Sequence, residues 1–179
     1  MKKVIIILVS IALIIFGSAA FAQEFSYRQT PDHVGNQLMS QVAYNKTQVI
    51  QFAEKALQKK QAIDQNRIRI KELQRQLNVQ IKQSKDSVKV MRSNPDSVGA
   101  DQVNTIKEIV NRTASIKKTL AATDGLLKKK GAELRQARLQ RKPAAFIRTL
   151  DEIIIIQKKR IEAMEEMITI LERLNKTLG

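Results

Sequence analysis

The sequence predicts an all-α fold: an elongated antiparallel three-helix coiled-coil bundle after an N-terminal signal peptide. Three observations predict it. Val42, Val49, Ala56, Ile63, Ile70 and Leu77 recur every seven residues, which keeps one side chain per two helical turns on a single stripe. The helical pattern is punctuated at residues 93–100 and again at Pro143, where proline, glycine, asparagine and serine mark turns. After Phe146 the apolar stripe broadens, and a broad stripe contacts two neighbouring helices rather than one.

The elements follow in order. Met1-Lys2-Lys3 precedes an apolar region from Val4 to Phe16, and Ala20-Phe21-Ala22 has a small-x-small pattern. This is the layout of a signal peptide over 1–22, with Gln23 as the expected mature start. The alternative is an uncleaved anchor, since Val4 to Ala22 approaches the roughly 20 residues that cross a bilayer. Either form implies export in a bacterial setting: periplasmic or extracellular if cleaved, membrane-anchored if not. The chain has no cysteine, so neither a disulfide framework nor a lipidated cysteine is available. Without Lys2 and Lys3, 30 bases remain against 17 acids, a net charge of +13. Tryptophan is absent and aromatic residues make up 4% of the chain, which suits long helices better than a globular enzyme.

Residues 23–32 are expected to be irregular, with Pro31 opening a helix and Thr30 as its cap. The first helix is predicted over about 33–92, and the seven-residue seam is reinforced by Leu38, Phe52, Leu73, Ile81 and Val88. At about 1.5 Å per residue it would run roughly 90 Å. A turn over 93–100 leads to a second helix over about 101–141, capped by Asp101 or a neighbour. Val103, Ile106, Ile109, Val110, Ile116, Leu120, Leu127 and Leu134 keep helical spacing there, while Gly125 and Gly131 are expected to loosen the helix without breaking it. Pro143 ends that segment. The third helix is predicted over 144–178, with Ile147, Leu150, Ile154, Ile161, Met164, Ile168, Leu171 and Leu178 on its main stripe, broadened by Phe146, Ile153, Met167 and Leu174.

Folding the chain at its two turns sets a register. Ile70 falls level with Thr123 and Glu162, and residues 33–49 overhang the rest by about 25 Å. Glu162, Glu165 and Glu166 are then expected to face Arg67, Arg69, Lys71 and Arg75 as interhelical ion pairs. Their value would lie in selecting the register, since each exposed pair contributes only about 0–1 kcal/mol.

The same register gathers a candidate patch for an anionic partner: Lys55, Lys59, Lys60, Lys128, Lys129, Lys130, Arg135, Arg138, Arg141, Lys142 and Arg148. Between 128 and 148 only Glu133 opposes these cations. Such a patch attracts anions and weakens with salt, or it simply keeps a long protein solvated. No catalytic constellation is expected. His33 is the only histidine, so no histidine cluster can hold a metal, and there is no thiol nucleophile. The three glutamates lack the Glu-x-x-His spacing of a metal-binding bundle, no phosphate-cradling glycine loop is present, and no cofactor is expected. Asn45, Asn111 and Asn175 each open an Asn-x-Thr sequence, all on predicted helices where glycosylation acceptors are unusual. Phe146 alone among aromatic residues falls within the 128–148 basic run, too few to stack successive bases, so nucleic acid is not the expected partner.

The leading expectation is therefore a non-enzymatic exported binding or structural protein whose basic surface meets an anionic envelope component or an acidic protein. Contact with a membrane surface and homo-oligomerisation are compatible with it. In composition the chain resembles the trimeric periplasmic Skp-type chaperones, being basic, cysteine-free, exported and coiled-coil. That resemblance implies a holdase, although the sequence of residues 23–40 shows no pattern for the β-strand with which those chaperones build a trimer body. A membrane-tethered spacer is the third expectation, if the signal is not cleaved.

Overall fold

The computed structural model describes residues 46–93 and 99–178. The predicted signal peptide (1–22), the irregular segment (23–32), the first turns of the first helix with most of the overhang (33–45) and the turn at 94–98 lie outside the described residues. Three helices account for nearly everything described: α1 (Lys46–Ser93), α2 (Ala100–Leu139) and α3 (Pro143–Leu178). No strand occurs among the described residues.

Each helix has a local cause. α1 contains neither glycine nor proline over its 48 residues, so nothing interrupts its hydrogen-bond ladder. α2 starts on Gly99, whose carbonyl accepts the Val103 N–H at 3.1 Å. The Gln102 side chain reaches back to accept the Gly99 N–H at 3.0 Å, which is half of a capping box. The cap is thus Gly99, and Asp101 sits in the first turn, where its charge favours the positive end of the helix dipole. α2 passes through Gly125 and Gly131 without a break.

The end of α2 comes two residues earlier than expected. The Arg141 N–H donates to the Arg138 carbonyl at 3.1 Å, and the Lys142 N–H donates to the Ala137 carbonyl at 2.9 Å. That bond pair is a Schellman closure with Arg141 in the left-handed position, at φ 53°. Pro143 then opens α3 as its first residue, where its missing N–H costs nothing. The Lys142 carbonyl accepts the first bond, from the Phe146 N–H at 3.0 Å.

Packing divides the described residues into two compact units, each drawing on all three helices. One comprises 69–93, 99–122 and 160–178, and is called here the apolar unit. The other comprises 46–68 and 123–159, and is called the basic unit.

In the apolar unit, fourteen buried hydrophobic residues form one cluster, among them Leu73, Ile106, Met164, Leu171 and Leu174. Side chains on α1 bond partners a near-constant distance along the sequence on α3: Arg69 with Glu165, Gln80 with Asn175 and Ser84 with Asn175, at separations of 96, 95 and 91. α1 and α3 therefore run parallel here. Along α3 from Arg160 through Glu166 to Arg173, the α2 partners descend from Leu120 through Arg112 to Glu108, so α2 runs the opposite way. Ile70 and Glu162, 92 residues apart, are therefore level to within about one helical turn.

In the basic unit the buried hydrophobic cluster is Ile63, Leu150 and Ile153, with Leu127, Leu134, Phe146, Ile147 and Ile154 packed partly buried against it. Its α1–α3 separations are 92 for Lys59 with Asp151 and 91 for Asn66 with Gln157. The Phe52 and Phe146 rings add a tilted contact with centroids 6.2 Å apart, a favoured aromatic arrangement.

The seven-residue seam of α1 continues past Leu77 into Ser84 and Met91, both buried. On α3 the buried series runs Leu150, Ile153, Gln157, Arg160, Met164, Met167, Leu171 and Leu174, alternating steps of three and four as heptad packing requires. Two of these slots are polar, so apolar periodicity does not mark them. Gln157 is 4% exposed and Arg160 9%. Gln157 donates to the Ile63 carbonyl at 3.4 Å and accepts from Asn66 at 3.3 Å. Arg160 donates to the Leu120 carbonyl at 3.0 Å. No buried side-chain polar atom among the described residues lacks a partner, as a native core requires.

Candidate basic surface

All eleven residues of the predicted patch fall in the basic unit. Lys55 and Lys60 are exposed on α1, and Lys59 is half-buried there. On α2, Lys128, Lys129, Arg135 and Arg138 are exposed and Lys130 is half-buried. Arg141 and Lys142 form the α2–α3 turn, and Arg148 is exposed on the second turn of α3. The unit has fifteen lysines and arginines against six acids among its described residues, so its surplus of positive charge is not cancelled internally.

Some of that charge is nevertheless engaged, and Glu133 is not the only acid involved. Lys59 bonds Asp151 across α1 and α3. Lys128 pairs with Asp124 one turn earlier on α2, at 3.0 Å. Lys130 bridges Glu133 on its own helix and Glu152 on α3, each at 2.6 Å. Asp124 lies just before residues 128–148 on α2, and Asp151 and Glu152 just after them on α3. Lys59 and Lys130 occupy inward-facing slots of their seams, so their charges help to hold helices together.

The pairs leave an electrostatic signature. The two carboxylate partners of Lys130 raise its pKa above the ordinary 10.5. The hydrogen bond from Lys130, followed by the charges of Lys129 and Arg148, holds the Glu133 carboxyl below its usual 4.5. Both shifts favour the charged forms.

The glutamate ladder of α3 departs from expectation. Glu165 does meet Arg69 of α1, at 2.7 Å. Glu166 instead pairs with Arg112 of α2, because a residue one position further along turns about 100° around the helix. Glu162 makes no ion pair among the described residues, while Arg67 bonds Asp64 and Arg75 bonds Glu72 on their own helix. The ladder thus contacts both neighbouring helices.

A shallow groove of about 460 Å³ lies within the basic unit, lined by Gln51, Phe52, Lys55, Pro143, Ala144, Ile147, Arg148 and Asp151. Its floor is apolar, and two cations of the patch stand on its walls. Among the described residues, the basic unit also holds six of the eight exposed large hydrophobic side chains: Ile50, Leu57, Ile68, Leu126, Leu139 and Ile155. None was singled out from sequence. Only Leu139 has a local signal, as the last helical residue before the Arg141-Lys142-Pro143 turn. Among the described residues there is no cluster of potential metal ligands, and no helix is long and apolar enough to cross a membrane. No family model, curated protein or solved structure matches the chain.

Proposed function

We propose that the chain is an exported, non-enzymatic helical-bundle protein that binds an anionic partner, an envelope component or an acidic protein, through its basic unit. The observation that carries the reading is the fifteen-to-six excess of bases over acids there, on a surface that also exposes apolar side chains. Export is supported by the 1–22 sequence, with a periplasmic or extracellular mature chain starting at Gln23. The proposal retains the elongated antiparallel coiled-coil form predicted from the heptads. Absence of enzymatic activity is supported by a sequence with a single histidine and no cysteine.

The test is retention of the chain on an anionic matrix. Salt-sensitive retention, lost when Lys129, Lys142 and Arg148 are reversed to glutamate, is the expected result. Retention unchanged by the reversal would reduce the patch to a solvated face. A second reading, a periplasmic holdase, is favoured by the six exposed hydrophobic residues of the basic unit. It requires the protein to suppress aggregation of an unfolded client, and no suppression at several-fold excess would remove it. If the signal stays attached, the same surface belongs to a membrane-tethered spacer.

A further inference from the structure

We infer that the groove of the basic unit is a binding site for a fatty acid, an inference that rests on the anionic-partner reading and names the partner's chemistry at this site. The groove lies between the early turns of α1 and of α3. Phe52, Pro143 and Ile147 are each half-buried, so each leaves apolar surface on its floor. The Phe52 ring is held against Phe146 at a centroid distance of 6.2 Å, and Ile147 packs on the cluster of Ile63, Leu150 and Ile153. The floor is therefore anchored to the unit's own core. At about 460 Å³ the groove falls within the roughly 300–1,000 Å³ of small-molecule sites, which are mostly apolar with a few polar groups that fix orientation.

The walls supply those polar groups, and their charge is positive. Lys55 is exposed and makes no hydrogen bond or ion pair among the described residues. Arg148 is exposed too. Its charge acts on Glu133, but that carboxylate is bonded by Lys130 at 2.6 Å. Asp151, the one acid among the lining residues, is bonded by Lys59. The matching occupant carries an alkyl chain for the floor and an anionic head for the walls. A guanidinium holds a carboxylate through two parallel hydrogen bonds, and long cationic side chains cover apolar surface with their stems while their charged ends stay outside. A purely hydrophilic anion gains nothing from the floor. A folded acidic partner spreads its contact over about 800 Å² per side, more than a groove lined by eight side chains offers.

Calorimetric titration of decanoate into the full-length protein tests the site. Saturable one-to-one binding is expected, with a negative heat-capacity change from the buried chain and an affinity that falls with salt. Acetate keeps the head without the chain and should bind more weakly by about tenfold or more, since each buried methylene adds to affinity. Decanol keeps the chain without the charge and should also lose about tenfold. Lys55→Gln and Arg148→Gln should each weaken decanoate about tenfold, the loss of one charge-assisted hydrogen bond. Ala144 is exposed in the groove, and Ala144→Glu sets a carboxylate there, in a first turn where an acid favours the helix. It should abolish binding without unfolding the chain. Lys82→Gln, at an exposed site in the apolar unit, should change nothing.

Decanol bound as tightly as decanoate, or decanoate binding untouched by both cation variants, would overturn the role of the walls. An equal loss in Lys82→Gln would reduce the effect to net charge and overturn it as well. Binding that survives Ala144→Glu would place the fatty acid outside the groove. A chain that ignores decanoate but is still retained by an anionic matrix would remove the groove assignment and leave the anionic-partner reading standing. Indifference to both would remove the two together.

Discussion

In the apolar unit fourteen hydrophobic residues are buried in one cluster, whereas in the basic unit three are. The same three helices build both, with the same three-and-four spacing, so the difference lies in what fills the slots. In the basic unit inward positions are given to Lys59, Asn66, Lys130 and Gln157, which meet Asp151, Glu133, Glu152 and one another. In the apolar unit most such positions hold leucine, isoleucine or methionine. A fully buried side chain of that kind contributes about 1.5–3 kcal/mol, while a partly exposed ion pair contributes about 0–1 kcal/mol. Helical periodicity can thus be uniform along a chain while stability is not. The apolar unit anchors the fold. The basic unit forgoes burial for charge, and it also displays most of the exposed hydrophobic residues.

Core truncations should separate the units most sharply. Leu174 is 0% exposed, and Leu174→Ala should lower stability by about 2–5 kcal/mol. Ile153→Ala, in the thinner cluster, should fall at the low end of that range, about 2 kcal/mol. Denaturant titration of both variants checks the order, and equal losses would erase the contrast. Next comes a polar slot of the apolar unit. Ser84 is 0% exposed and donates to Asn175 at 2.7 Å. Ser84→Ala should cost about 1 kcal/mol, because the Asn175 carbonyl oxygen loses its donor.

Two substitutions in the basic unit should act in the opposite direction. Gly125 lies within α2 with nothing within 4 Å of an added Cβ, so Gly125→Ala should raise stability by about 0.4–1 kcal/mol. Arg141→Gly should raise it by about 0.5–1 kcal/mol by relieving the left-handed strain. Thermal melts read both, and a fall in either would mean that the side chain or backbone there is better accommodated than the geometry indicates.

The smallest effects are those of pH, and they differ between the units in sign. Glu133 has a lowered folded pKa, so its contribution is present above the ordinary 4.5 and is lost as pH falls through the folded value. Lys130 has a raised one, so its contribution is present below 10.5 and is lost as pH rises through the folded value. Lys117, in the apolar unit, is lowered by burial. There stability should increase as pH rises from the folded pKa towards 10.5. Alkaline titration should therefore weaken the basic unit while relieving the apolar one, and Lys130→Met and Lys117→Met should each abolish its own part of the profile.

Much of this architecture was legible in the sequence because apolar periodicity and turn residues report on helices directly. The seam from Val49 to Leu77, the start of α2, the extent of α3 to within a residue, and the α1–α3 register all follow from those two signals. Ser84, Gln157 and Arg160 were not legible as core, since only their partners on other helices make a buried polar residue tolerable. The candidate patch was legible as composition, because a run of lysines and arginines needs no fold to be seen. Its internal neutralisation was not, since Asp151 and Glu152 oppose Lys59 and Lys130 only once α3 packs against its neighbours. Arg141 was hidden for a different reason: left-handed helix ends are read from glycine, and this one has none. The Glu162–Glu165–Glu166 ladder was placed level with its partners, but rotation about α3 directed Glu166 towards Arg112 instead of α1.

The direct test of the contrast between the units is residue-resolved native-state amide hydrogen exchange. Core amides of 69–93, 100–122 and 160–178 should open only near the global unfolding free energy, whereas those of 46–68, 123–139 and 143–159 should open at a lower one. Equal opening free energies along each helix, or higher protection in the basic unit, would contradict it.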